Sequence, residues 1–129
     1  MLKNDFYQVL DQTGARSQEG SSGRFTITVG LNEPHRIYEG HFPGNPVVPG
    51  VCQVALIREL VSGILGKNLR LETADNIKFL SMIQPGVQKR LKVDLEIKDA
   101  AEGKQEVQAL ISADEKIFMK FKGQFKPGG

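Results

Sequence analysis

The sequence predicts an α+β domain in which one buried helix is followed by a run of antiparallel strands. A mostly apolar stretch around residues 47–65, interrupted by Gln53, Arg58 and Glu59, reads as a core helix. Strict alternation then takes over. Leu91, Val93, Leu95 and Ile97 interleave with Lys92, Asp94 and Glu96, and Val107, Ala109 and Ile111 repeat the pattern. A sheet built this way covers the helix with one face, and its other face and edges need water or a second subunit.

At 129 residues the chain is expected to be a single domain with one proper core. Hydrophobic residues make up 40% and charged residues 25%, the balance of an ordinary soluble protein. A net charge of +2 argues against nucleic acid as a partner. The single cysteine, Cys52, leaves no intramolecular disulfide and fits a reducing compartment. With charges at Lys3 and Asp5 and no apolar leader, a cytoplasmic location without a membrane span is expected.

Phe6–Asp11 reads as a short helix or a strand, and periodicity leaves the two open. The segment from Gly14 to Gly23 is polar and rich in Gly and Ser, and reads as a flexible connection. Arg24–Gly30 is a half-buried strand, with Phe25, Ile27 and Val29 on one face and Thr26 and Thr28 on the other. The helix is expected to start at Pro49 or Gly50, to end near Gly66 and to be buried on several sides. A strand around Asn76–Ser81 follows. The last strand has Ile117, Met119, Phe121 and Phe125 on one face, against Phe118, Lys120, Lys122 and Gln124.

The segment His41–Val51 carries the chemistry. Three prolines and two glycines in His-Phe-Pro-Gly-Asn-Pro-Val-Val-Pro-Gly-Val fix an extended, turning backbone. Its final Pro49-Gly50 opens the helix, so an imidazole and a helix N-terminus arrive close together. Such a pair suits work on a polarised carbonyl.

These residues also resemble a family. Gly40-His41-Phe42-Pro43-Gly44, then Pro46 and Pro49-Gly50-Val51, is similar to the signature of the FabZ/FabA-type 3-hydroxyacyl-[acyl carrier protein] dehydratases. Asn32-Glu33-Pro34 upstream fits with a residue or two inserted, and Lys78-Phe79 and Pro85-Gly86 resemble the family's next strand and turn. The resemblance implies a hot-dog fold, a curled antiparallel sheet wrapped around one long helix, with Phe6–Gln12 as its first strand. It also implies a homodimer, a dimer-based oligomer or a heterodimer with a related subunit, with the site between subunits. The substrate is then an acyl thioester on the phosphopantetheine arm of an acyl carrier protein, with no separate cofactor.

On that model His41 takes the C2 proton of the 3-hydroxyacyl thioester. The Gly50 and Val51 amides hold the thioester oxygen as enolate charge develops, with Phe42, Pro49 and Phe79 as apolar substrate contacts. Phe79, Leu80, Met82 and Ile83 are candidate tunnel lining.

One departure matters. The family carries a Glu or Asp on the helix fourteen residues beyond the histidine, and that position here is Ala55. Glu59 lies one turn further, displaced by about 5.4 Å along the axis, and is the stand-in acid, directly or through a water. Its structural alternative is a helix residue paired with Arg58, Lys67 or a partner. Gln53 and Cys52 are weaker candidates, Cys52 being read as a small buried residue and His35 as surface.

Lys116, Lys120, Lys122 and Lys126 either meet an acidic carrier surface or form the solvated face of a strand. No metal motif is present, and none is expected to bind. Beside the dehydratase stand two alternatives: a degenerate acyl-thioester-binding subunit paired with an active paralogue, which Ala55 favours, and a hot-dog thioesterase, which gains nothing from the His-Pro-Gly segment.

Overall fold

The computed structural model describes residues 6–16, 20, 22–32 and 47–128. His35, His41 and Phe42 lie outside the described residues. In chain order the elements are β1 (Tyr7–Arg16), β2 (Gly23–Leu31), α1 (Gly50–Leu65), β3 (Leu69–Phe79), β4 (Arg90–Asp99), β5 (Gln105–Ala113) and β6 (Lys116–Pro127). The six strands form one antiparallel sheet in the order β1-β2-β4-β5-β6-β3, with β1 and β3 at its edges.

The central strands follow their alternation. Phe25, Ile27 and Val29 of β2, Leu91, Val93, Leu95 and Ile97 of β4, and Val107, Ala109 and Ile111 of β5 are all buried. They pack with Cys52, Leu56, Ile57, Leu60, Val61 and Leu65 of α1 into one core. Burial of this apolar surface is the dominant stabilising contribution.

The edges and the last strand depart from simple alternation. β1 runs on to Arg16, where Gly14, Ala15 and Arg16 pair with Phe25, Arg24 and Gly23, so the stretch read as a flexible connection starts as strand. β3 begins at Leu69 rather than near Asn76. Register shifts between Leu71 and Thr73 and between Ala74 and Asn76 break the period of two that would have announced it. In β6 a bulge places Met119 opposite Ile111 but Ile117 opposite Ser112. The extra residue turns Phe118 inward beside Met119 and leaves Ile117 37% exposed, against the expected facing. Ile83, a candidate tunnel residue, is fully buried in the core instead.

Helix α1 enters through Pro49 (φ −60°, ψ 148°) and stops at Gly66, whose φ of +64° is the left-handed region that favours glycine. Its burial is less uniform than its composition suggests. Polar Gln53 and Glu59 are buried, while Val51 is 76% exposed.

Candidate functional site

The mouth of α1 is built by three segments. Pro49 ends an extended approach whose Val48 N–H donates to the Ile83 carbonyl at 2.8 Å, tying the approach to the loop after β3. At the end of β3, the Phe79 ring lies so close to Gly50 that an added Cβ would sit 2.8 Å from its tip. A glycine is what allows this approach. Phe79 remains 52% exposed, and Val51, Leu80 and Met82 are exposed beside it in the chain or across the contact. The helix therefore opens into an apolar surround.

The first turn is electrically open. The Cys52 and Gln53 amides donate to the Pro49 carbonyl at 3.0 and 3.1 Å. The Gly50 and Val51 amides have no acceptor among the described residues, and the first turn holds no acidic side chain. Two unpaired N–H groups at the positive end of a helix form a cradle for a carbonyl oxygen gaining negative charge. Gln53 braces the same turn: its Nε2 donates to the Val48 carbonyl at 3.3 Å, while its buried Oε1 lacks a partner among the described residues. Cys52 is buried, and burial pushes its thiol up from the ordinary value.

Further along α1, Ala55 is half-buried and brings only a methyl group. Glu59 is buried one turn beyond. Its Oε1 accepts a hydrogen bond from the Tyr7 hydroxyl at 3.2 Å, and its Oε2 lies 3.6 Å from an Arg58 nitrogen. Arg58 also donates to the Leu69 carbonyl at 3.4 Å. Tyr7, which stands 52 residues away in sequence, was not legible as a partner. Its phenol is held well above the ordinary value, first by burial, then by the Glu59 charge and hydrogen bond, with Arg58 opposing.

An ionised Tyr7 is thus disfavoured in the folded state. Its contribution to stability is complete below the ordinary phenol value of 10.0 and is lost as pH rises above it. Urea midpoints are expected to fall progressively above about pH 10, and Tyr7→Phe is expected to flatten that slope.

Among the described residues no three His, Cys, Asp or Glu side chains converge as a metal site, and no helix is long and apolar enough to cross a membrane.

A six-stranded antiparallel sheet around one helix, open at the helix N-terminus, defines a hot-dog protein of α+β class. The family model described as ApeI dehydratase matches residues 16–124, and the chain belongs to this ApeI-like family. It is similar to the 3-hydroxyacyl-[acyl-carrier-protein] dehydratase FabZ of Pediococcus pentosaceus, at 31% identity over 107 residues covering 78% of this chain and 70% of that one. The FabZ of Caulobacter sp. (strain K31) is 34% identical over 76 residues, covering 52% of this chain and 45% of the relative. The chain thus spans about half the length of several curated relatives that it matches. Among solved structures, the dehydratase heterocomplex ApeI:P from Xenorhabdus doucetiae superposes with a TM-score of 0.71 at 18% identity, covering 91% of this chain and 95% of that one. At that identity the likeness speaks for the fold.

Proposed function

We propose that this chain is a 3-hydroxyacyl-[acyl carrier protein] dehydratase of acyl-chain biosynthesis. The observation that carries this reading is the pair of Gly50 and Val51 amides, which have no acceptor among the described residues, with the Phe79 ring packed against Gly50. They would hold the thioester oxygen while His41, at the head of the same Pro-rich segment, takes the proton from C2. The C3–O bond then breaks, and the hydroxyl leaves as water once an acid has protonated it. Pro49, Val51 and Phe79, with Phe42, would hold the acyl chain against water.

The site is read as shared between two subunits. The apolar surface of Val51, Phe79, Leu80 and Met82 is exposed in the single chain, and β3 has one edge unpaired among the described residues. A second copy, or a related subunit as in the neighbouring heterocomplex, would cover both.

Glu59 is the acid on this chain's own helix. Tyr7 and Arg58 occupy its two carboxylate oxygens, however, and a group that delivers a proton must present an oxygen to its target. That geometry, with Ala55 in the family's acidic position, favours a second reading in which a paralogous subunit supplies the carboxylate and this chain contributes the helix mouth.

Enoyl formation from 3-hydroxyacyl-carrier protein separates the readings. Turnover by the chain alone that drops at least about 10²-fold in Glu59→Gln is expected if Glu59 is the acid. A chain that binds the acyl carrier but turns it over only with a carboxylate-bearing paralogue fits the second reading. Neither binding nor turnover contradicts both.

A further inference from the structure

Two peptide groups lead into the Gly50 amide, and Gln53 holds both. A planar trans peptide points its C=O and the next N–H in opposite directions, so fixing the Pro49 carbonyl fixes the direction of the Gly50 N–H. The Gln53 backbone N–H donates to that Pro49 carbonyl at 3.1 Å. One peptide earlier the Gln53 side chain reaches back, and its Nε2 donates to the Val48 carbonyl at 3.3 Å. Between the two carbonyls lies Pro49, whose ring locks φ and leaves ψ, at 148°, as the one soft torsion. Gln53 thus grips a carbonyl on either side of a single torsion. The backbone bond forms with almost any residue at this position, whereas the second bond needs a side-chain donor of this reach.

The rest of the side chain sets this arrangement apart from ordinary packing. Gln53 is 3% exposed, and its Oε1 is buried with no partner among the described residues. A buried acceptor without a donor destabilises a fold, and an apolar residue of the same shape would not carry one. The helix start has no side-chain cap, since Pro49 offers none. Val48, itself buried, has both of its backbone groups taken, the N–H by the Ile83 carbonyl and the C=O by Gln53.

We infer that Gln53 is a positioning residue for the amides that hold the thioester oxygen: it sets the direction of the Gly50 N–H through Val48 and Pro49, without touching the substrate. This rests on the proposed reaction. Donors stabilise developing charge most when they already point at it. An amide turned aside still lets the thioester bind, and the loss falls on the transition state.

The test compares Gln53→Met, which keeps length and shape without the amide, with Gln53→Glu. The substrate is a 3-hydroxyacyl N-acetylcysteamine thioester, with the paralogous subunit added if the chain alone is silent. In Gln53→Met, kcat is expected to fall about 10–10²-fold, the upper end matching a displacement of about 1 Å at a reacting group. KM should change by less than about twofold. The melting temperature should hold, because the lost bond to Val48 and the removed unpaired oxygen offset each other. Gln53→Glu supplies a readout that packing alone does not move. Its carboxyl donates to the Val48 carbonyl only when protonated, and burial favours that form. The ratio of variant to parent kcat should therefore rise as pH falls from about 8 to about 5, while the ratio for Gln53→Met stays flat. In the free protein, hydrogen exchange at the Val48 amide should quicken at least about tenfold in Gln53→Met.

Parent-like kcat in Gln53→Met overturns the positioning role, as does lost stability with kcat held. A Gln53→Glu ratio that ignores pH, or unchanged Val48 exchange, does the same. Faster Val48 exchange in Gln53→Met, with no turnover by the parent alone or with the paralogue, leaves the grip on Val48 intact and removes the dehydratase reading.

Discussion

Gly50→Pro is expected to lower turnover of a 3-hydroxyacyl thioester about 10²–10³-fold, the loss that follows removal of one oxyanion donor, with the helix left in place. Proline is favoured at the first helical position because the missing N–H had no helical partner there. The preceding Pro49, at ψ 148°, already has the extended geometry that a following proline requires. The substitution therefore deletes an amide and little else from the backbone. Gly50→Ala is the control, since it keeps the N–H and adds only a methyl group, 2.8 Å from the tip of a half-exposed Phe79 ring that can turn aside. Steady-state rates and far-UV circular dichroism on both variants check the expectation. Equal losses in the two would assign the effect to crowding at Phe79 rather than to the donor.

Phe125→Ala is expected to cost about 3–5 kcal/mol of stability, the range for emptying a large aromatic site in a core. Phe125 is fully buried, its ring centroid is 5.8 Å from that of Phe121, and its strand position pairs with both Gln105 and Leu71. Against the roughly 5–15 kcal/mol typical of a domain, that loss moves the urea midpoint far toward zero. Ile117→Ala, on the same strand, is expected to stay within about 1 kcal/mol, because the bulge has turned Ile117 outward. Simple alternation would have put both residues in the core. Comparable losses in the two would contradict the bulged register.

That contrast also marks where the sequence is informative. β2, β4 and β5 are central strands with one face on the helix, so their hydrophobic period of two survives intact in Phe25–Val29, Leu91–Ile97 and Val107–Ile111. β1 and β3 are edges with register shifts, and half of each is polar because nothing described covers it. Their lengths were accordingly illegible. In β6 a single extra residue was enough to exchange Ile117 and Phe118 between faces.

The site divides in the same way. Pro49-Gly50 announces the helix start by local chemistry alone, and the unpaired amides follow from it. The contact between Gly50 and Phe79 and the hydrogen bond from Tyr7 to Glu59 join residues far apart in the chain. No spacing rule brings them together.

The proposed activity comes down to proton removal by His41 beside the helix mouth. The direct measurement is the rate of enoyl formation from 3-hydroxyacyl-carrier protein, supplied with the paralogous subunit if the chain alone is silent, for the parent and for His41→Ala. The account predicts turnover in the parent and a loss of about 10²–10⁴-fold in the variant, the contribution of a positioned general base. Equal rates in parent and variant would contradict it.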